Sequence, residues 1–369
     1  MWITRVTPLY SGANLFVRVD TDEGIAGYGE GTLNTRVKAV AAVLQDLEPV
    51  LMGKDPLQTE RLWQEVYRGT FWRGGPVLLS ALSAVDMALW DIKGKVLHTP
   101  VYNLLGGPSR EKIRMYVHAS GTNPEELCRN AEALLAQGFT CLRICPHDNL
   151  EAGRYEPGVQ VRKSVAFMKA LRTAVGEDAE IIFECHTRLT PAWAAALCQE
   201  IAPYRPLFVE DALRADSPES YRTLRARTDV ALGTGEKFGG IWDYKTVFEE
   251  DLIDYARTDI CNCGGITSFM KIAHYAESHY IEMVPHGIPG PVGMMAALHC
   301  DLAAANFAMQ EQGAFTAGFA ETDVVLRNGF LYLGNAPGLG VQIHEDRLEP
   351  VSHYEHPHWA REDGSVQDW

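Results

Sequence analysis

The sequence has no long hydrophobic run and no basic stripe, and both absences narrow the function. No uninterrupted apolar stretch approaches the roughly 18 residues that a membrane span needs. The formal net charge is −15, whereas binding the phosphates of nucleic acid requires clustered Lys and Arg. The first residues, MWITRVTPLY, have neither a charged n-region nor an apolar h-region. We therefore expect a cytoplasmic protein that binds neither membranes nor nucleic acid.

Paired cysteines and low-complexity linkers are also missing. The eight cysteines include no CxxC pair and lie mostly in apolar segments, which predicts reduced, buried thiols instead of a disulfide framework. The length of 369 residues exceeds that of one ordinary domain, and an (α/β)₈ barrel needs roughly 250 residues. About two domains are therefore expected.

The two parts of the chain follow different patterns. Residues 1–115 contain a hairpin signal at 14–31, around an Asp-Glu-Gly turn, and helical spacing at 35–53, 55–70 and 76–98, which indicates an α+β domain. Residues 116–320 are expected to form the second domain. Strand-like and helix-like segments alternate from about residue 113, and we count eight strands from IRMYVHAS to AMQEQ. This alternation predicts a parallel α/β barrel with catalytic groups at the carboxyl ends of its strands. Residues 321–369 are expected to pack back on the amino-terminal domain.

Three glutamates recur with a spacing of 26 residues. Glu184, Glu210 and Glu236 each end a short apolar run, and 26 residues accommodate one strand, one helix and their loops. Successive strands would therefore bring three carboxylates to one rim, where their charge requires a cation. Hard oxygen ligands favour Mg²⁺. A single glutamate at a strand end is usually only a solvated rim residue, but three in phase are hard to explain that way.

Further polar residues fall at the same strand ends. Alternation along the strand puts His186 beside Glu184, and Asp259 and His286 end neighbouring strands, so that the carboxylate can orient the imidazole as a general base. Glu311 ends the eighth strand, and Arg143 on the second strand is a candidate cation for a substrate carboxylate. Each could alone be an ordinary rim or core residue. Together with a metal they suit proton abstraction next to a carboxylate through an enediolate.

Several motifs resemble the enolase superfamily, mandelate racemase subgroup, and most closely its acid-sugar dehydratases. They are the run at 71–95, DICNCGGIT (259–267), VPHGIPGPVG (284–293), PGLGV (337–341) and EDGSVQDW (362–369). The resemblance implies a modified (β/α)₇β TIM-like barrel with an α+β capping domain that both chain ends complete. It also implies one Mg²⁺ per subunit and a homo-oligomer, a dimer or an octamer.

The resemblance also implies roles for individual residues. As in galactonate dehydratases, His286 with Asp259 would abstract the α-proton, His186 would protonate the departing 3-hydroxyl, and Glu311 would hydrogen-bond the enediolate. As in mannonate dehydratases, Arg143 with Tyr155 is an alternative base. Specificity in the superfamily lies in capping-domain loops, which makes three more residues candidates for substrate binding: Asn14, Trp72 and Arg73.

Two positions depart from the family pattern. Glu184 stands where these dehydratases usually have Asp, and Arg143 and Cys145 replace the lysine pair of racemases and cycloisomerases. The resulting hypothesis is a Mg²⁺-dependent dehydratase that converts an aldonate such as galactonate, mannonate or gluconate to a 2-keto-3-deoxy acid. Alternatives are an epimerase, racemase or cycloisomerase acting through the same enediolate on a related hydroxy acid or lactone, and a non-catalytic metal-binding regulatory or scaffold protein.

Overall fold

The amino-terminal part of the chain forms a small antiparallel sheet. A computed structural model describes residues 1–148, 154–214, 216–287, 290–352 and 358–367. Strands β1 (Ile3–Ser11), β2 (Asn14–Thr21) and β3 (Ala26–Glu30) pair in that order. The predicted hairpin is β2 and β3, and its turn uses the positive φ of Gly24, 79°.

Helices cover one face of this sheet and complete a capping unit. They are α1 (Val37–Leu51), α2 (Thr59–Arg68), α3 (Pro76–Val96) and the short α4 (Val101–Leu104). Helix α3 lies against β3 at backbone distance, because a Cβ added at Gly29 would stand 1.8 Å from the carbonyl oxygen of Ala84. The buried Asp86 of α3 accepts hydrogen bonds from the amide (2.9 Å) and hydroxyl (2.6 Å) of Thr267 in the barrel. These contacts fix the cap over the barrel rim.

The predicted alternation of strands and helices is confirmed. The barrel strands are β4 (Ile113–His118), β5 (Cys141–Ile144), β6 (Glu180–Glu184), β7 (Phe208–Glu210), β8 (Leu232–Thr234), β9 (Tyr255–Ala256), β10 (Glu282–Met283) and β11 (Gln310–Glu311). The helices between them are α5 (Pro124–Leu135), α6 (Pro157–Val175), α7 (Pro191–Ile201), α8 (Tyr221–Arg225), α9 (Gly240–Asp243), α10 (Lys245–Glu249), α11 (Gly265–Glu277) and α12 (Pro291–Ala303). Alternating units of this kind build a barrel whose rim carries the loops that follow the strands.

The barrel closes between its first and last strands. Strands β4 to β10 pair in sequence order and in parallel, and β11 pairs with β4. The remaining seam, between β10 and β11, is joined by a parallel bridge from Met283 to Phe307. All carboxyl ends therefore lie on the same rim, below the cap.

The chain after the barrel contacts both parts of the molecule. Strands β13 (Val325–Arg327) and β14 (Phe330–Tyr332) form a hairpin on β4, and β12 (Ala320–Thr322) pairs with β15 (Val341–Ile343). Glu345 accepts hydrogen bonds from Arg18 (2.9 Å) and Tyr28 (2.7 Å) of the cap. The boundaries at 115/116 and 320/321 stay predictions, and Trp369 lies outside the described residues.

Two expectations about composition can be compared with the structure. The eight cysteines are free thiols, six of them buried, as predicted. Among the described residues, none of the helices has both the length and the apolar character required to cross a bilayer.

Candidate active site

The three spaced glutamates converge on the rim. Glu184 and Glu210 end β6 and β7 and are register partners, and Glu236 follows β8 by two residues. One carboxylate oxygen from each lies within 4.8 Å of the others. Glu184 and Glu210 are fully buried, whereas 15% of the Glu236 side chain is exposed. The spacing therefore predicted their convergence, and their role as metal ligands stays a prediction.

Two buried arginines balance part of this negative charge. Arg257, directly after β9, donates from Nε to Glu210 at 2.8 Å and pairs with Glu311. Arg143 donates from Nη2 to Glu184 at 2.7 Å and lies 3.6 Å from Glu210. Burial lowers an arginine pKa, but these carboxylates raise the pKa of both guanidiniums well above the ordinary value. Both arginines therefore stay charged.

The pKa values of the two register partners, Glu184 and Glu210, shift in opposite directions. Burial raises the pKa of Glu184, but Arg143, His186 and hydrogen bonds to the carboxylate together outweigh it, and the pKa lies below the ordinary range. For Glu210 burial prevails over Arg257, and the negative charge of Glu184 adds to it, so that the pKa lies well above the usual value. Of the two adjacent carboxylates, Glu184 is therefore the more acidic.

His286 and Asp259 form the predicted dyad. His286 Nδ1 lies 2.9 Å from Asp259 Oδ2, and the carboxylate also accepts from the Cys261 amide (2.7 Å) and from Asn262 Nδ2 (2.9 Å). A carboxylate only accepts, so Nδ1 carries the hydrogen and Nε2 stands 3.6 Å from Glu236. Burial lowers the pKa of His286, but the charge of Glu236 and the bond to Asp259 raise it to about 9.

His186 reaches the rim by a turn, not by strand alternation. The sequence interpretation extended β6 to His186, but the strand ends at Glu184, and His186 and Thr187 have positive φ of 48° and 58°. A positive φ is costly for a β-branched residue such as Thr187. Arg143 Nη2 lies 2.9 Å from His186 Nε2, and Cys145 Sγ lies 3.5 Å from Nδ1. Since arginine only donates, Nε2 is the acceptor in this arrangement.

A cavity of about 340 Å³ lies between the cap and this rim. The cap contributes the segment after β3, and the barrel contributes both histidines and the carboxylates beside them. Its lining residues are Thr32, Leu33, Asn34, His186, Arg188, Glu236, Lys237, Asp259, Asn262 and His286. A cavity of this volume accommodates a small polar metabolite.

The predicted substrate-binding residues do not line this cavity in the described structure. Asn14 donates to the buried Glu30 at 3.3 Å, Trp72 is 80% exposed, and Arg73 lies 5.8 Å above the ring of Tyr67. Tyr155 is buried, with its hydroxyl 3.2 Å from His147 Nδ1. Arg143 contacts the carboxylates instead of the cavity. The binding roles of these five residues stay predictions without support from the geometry.

Two family descriptions match the chain. Residues 126–347 match the enolase C-terminal domain-like family, and residues 6–106 match the mandelate racemase / muconate lactonizing enzyme amino-terminal domain. The chain belongs to the enolase superfamily. The resemblance found in the motifs is thus confirmed, and so is the superfamily architecture of a capping domain over a barrel.

Individual members of the superfamily are similar over the whole chain. A D-galactonate dehydratase of Ralstonia pickettii is 36% identical, with 100% of both chains covered. A D-mannonate dehydratase of a Sphingomonas species is 39% identical, with 96% of this chain and 95% of that protein covered. An enolase of Pantoea ananatis, solved with D-gluconate and Mg, superimposes with a TM-score of 0.93 at 29% identity, with 99% of each chain covered.

The residues at the rim fit the metal ion of the enolase superfamily. Carboxylate oxygens are hard donors of the kind that Mg²⁺ takes, and the three here lie close together. Glu210 Oε2 is buried and has no hydrogen-bond partner within the described part of the chain, so this oxygen is available as a metal ligand. Glu184, although longer than the usual Asp, reaches the same cluster.

Sequence reasoning missed four residues of this superfamily site. His118 ends β4, and its Nε2 lies 2.7 Å from Glu311. Arg257 precedes Asp259 by two residues and could have been found by strand alternation. Arg188 and Lys237 line the cavity within four residues of predicted metal ligands, and no pattern in the sequence distinguishes them from surface cations.

Glu311 lies at the end of the eighth barrel strand, between two basic side chains. It accepts from Arg257, from His118 and from the amide of Gly287 at 2.8 Å. Burial raises the pKa of Glu311, but Arg257 and His118 hold it well below the ordinary value. In this arrangement Glu311 orients Arg257 and His118, and its predicted hydrogen bond to the enediolate stays a prediction.

Proposed function

We propose that the protein dehydrates an aldonic or related acid sugar to a 2-keto-3-deoxy acid with Mg²⁺ as cofactor. The observation that carries the proposal is the carboxylate cluster, flanked by the His286 and Asp259 dyad and by His186 around one cavity. End-to-end similarity to proteins named D-galactonate and D-mannonate dehydratases supports the hydro-lyase class. The gluconate and Mg of the Pantoea ananatis structure support the substrate class and the cofactor.

Proton abstraction is assigned to His286. Glu184, Glu210 and Glu236 would hold the divalent ion, whose charge lowers the cost of forming an enediolate. Asp259 keeps the hydrogen on Nδ1, so that Nε2 faces the cavity. A divalent ion held by Glu236 would offset the carboxylate charge that raises the pKa of His286, and the neutral imidazole could then accept the C2 proton of the bound acid. The orientation of the lone pair follows from the Asp259 hydrogen bond, which also contributes to the basicity of His286.

Loss of the hydroxyl is assigned to His186. The electron pair released at C2 expels the C3 oxygen, and a proton from His186 converts that oxygen to water. The carbon–carbon double bond then lies between C2 and C3, and the enol at C2 tautomerises to the ketone. His186 enters the reaction protonated, so the product complex leaves it neutral, with Arg143 able to donate to Nε2 as observed.

A substrate screen in deuterated water tests the proposal. Purified protein with Mg²⁺ is incubated with a stereochemically complete set of acid sugars, and 2-keto-3-deoxy product and deuterium at C2 are measured. We expect dehydration of one or a few sugars, loss of both signals in His286→Asn, and exchange without dehydration in His186→Asn. His344→Asn, a histidine paired with Glu321 outside the cavity, is the control.

The outcomes separate the alternatives. Exchange without dehydration by the unsubstituted protein would favour an epimerase. If the protein bound Mg²⁺ but gave neither 2-keto-3-deoxy product nor deuterium at C2, the catalytic proposal would be overturned in favour of a metal-binding regulatory or scaffold protein. Assembly into a dimer or octamer and a cytoplasmic location stay predictions, and light scattering of the purified protein checks the former.

A further inference from the structure

The carboxyl-terminal segment, residues 358–367, reaches the catalytic rim. Ala360 forms bridges with Arg154 and with Val366, and its carbonyl accepts a hydrogen bond from the Tyr155 amide at 3.0 Å. The amide of Gln367 donates to the Trp359 carbonyl at 2.8 Å. The segment is therefore a small folded-back unit docked on the loop region that precedes α6.

Trp359 of this segment lies on a cation of the cavity. The guanidinium carbon of Arg188 stands 4.0 Å from the centre of the Trp359 ring, well inside the range of a cation–π contact. Arg188 is only 4% exposed and lines the cavity with His186 and His286. Arg188 comes directly after the left-handed turn formed by His186 and Thr187. The same turn therefore places Arg188 and the candidate acid His186.

Stacking and hydrogen bonding use different parts of a guanidinium. The indole contacts the flat face, whereas the N–H donors lie in the plane and point outward from its edge. A stacked arginine therefore loses side-chain freedom and remains able to donate to a carboxylate or to sugar hydroxyls. Among the described lining residues, Arg188 is the arginine and Lys237 is the lysine. Lys237 Nζ donates to Thr187 at 2.9 Å, whereas Arg188 is the one that stacks on an indole.

We propose that Arg188 binds oxygens of the substrate and that Trp359 is its positioning residue, so that the carboxyl-terminal segment helps to set substrate affinity. The inference rests on the proposed function, because it takes a polyhydroxy acid as the ligand of the cavity. It adds a contribution to specificity from outside the capping loops. Removing the indole face should weaken binding while leaving the acid and base in place.

Affinity measurements on the full chain with Mg²⁺ test the inference. D-gluconate, D-galactonate and D-mannonate are titrated calorimetrically in the His286→Asn background, and KM and kcat are measured for the same substitutions in the active protein. Arg188→Met should raise Kd and KM roughly ten- to hundredfold. Trp359→Leu should raise them roughly three- to thirtyfold, and Trp359→Phe less, with kcat changed little in both.

A matched control removes a similar stack away from the rim. Lys112 Nζ lies 4.0 Å above the ring of Phe330, and Phe330→Leu should leave Kd unchanged. Unchanged Kd and KM in Trp359→Leu would overturn the positioning role, and unchanged values in Arg188→Met would overturn substrate binding. If Trp359→Leu lowered both Tm and kcat but left KM unchanged, the stack would be merely structural, and the positioning role would be overturned. If the unsubstituted protein binds none of the three acids, the proposed function fails together with this assignment.

Discussion

Asp259→Asn should disable the base while leaving the fold in place. Asp259 Oδ2 accepts from His286 Nδ1 at 2.9 Å and from Asn262 Nδ2 at 2.9 Å, and Oδ1 accepts from the Cys261 amide at 2.7 Å. An amide supplies one acceptor and one donor atom, so either orientation sets its NH₂ against an existing donor. With the oxygen kept on Cys261, the amide donates to His286 Nδ1. The neutral imidazole then carries its hydrogen on Nε2, where the substrate proton should arrive.

The expected effect is large because the wrong tautomer cannot accept a proton. A positioned general base contributes on the order of 10² to 10⁴ in rate, and we expect kcat and C2 deuterium exchange to fall together by a factor in that range. The assay is exchange at C2 in deuterated water, with product formation followed in parallel. Denaturant unfolding shows whether the substituted protein is folded.

A similar aspartate outside the cavity provides the control. Asp323 accepts from the Ala336 amide at 3.0 Å, and Asp323→Asn should keep both rates. If Asp259→Asn exchanges and dehydrates within about threefold of the unsubstituted rate, the dyad is not the base, and the pair of Arg143 and Tyr155 becomes the leading alternative.

Three further predictions concern the metal site, pH and packing. Glu210→Gln should weaken Mg²⁺ binding on the order of a hundredfold by calorimetry, whereas Glu321→Gln should not. Burial lowers the pKa of His299 to about 4 from 6.5, so its neutral form stabilises the fold above pH 6.5 and that contribution is lost as the pH falls through 4. The free energy of unfolding should drop by about 3 kcal/mol more across that window than in His299→Asn, and parallel curves would contradict the assignment. Gly94→Ala puts a Cβ 2.6 Å from the Gly338 Cα and should cost about 1–3 kcal/mol in denaturant unfolding, whereas Gly318→Ala, with open space around it, should be neutral.

The barrel and its acidic rim could be predicted because they depend on local periodicity. Each 26-residue unit repeats one strand and one helix, so Glu184, Glu210 and Glu236 fall at equivalent phases without any knowledge of long-range contacts. The dyad followed from the same rule, because Asp259 and His286 follow neighbouring strands. These inferences required only that parallel strands end on one rim.

The remaining features depend on long-range contacts that local sequence patterns do not reveal. Strand β1 contains Pro8, which argues against a strand, and it exists because it is an edge strand with one partner. The approach of His186 depends on a left-handed turn at non-glycine residues. The lowered pKa of Glu311 depends on Arg257, and the stack on Arg188 comes from Trp359, 171 positions away in sequence.

The return of the chain to the cap has a consequence for the order of folding during synthesis. Asp91 accepts from the amides of Tyr28 and of Leu339, the latter 248 positions along the chain, and Arg18 meets Glu345 across 327 positions. The cap therefore cannot finish its packing until nearly the whole polypeptide has left the ribosome, whereas the barrel units meet their neighbours as they emerge. A nascent chain stalled before residue 338 should therefore contain the barrel strands, while Asp91 near the end of α3 still lacks its contact with the Leu339 amide.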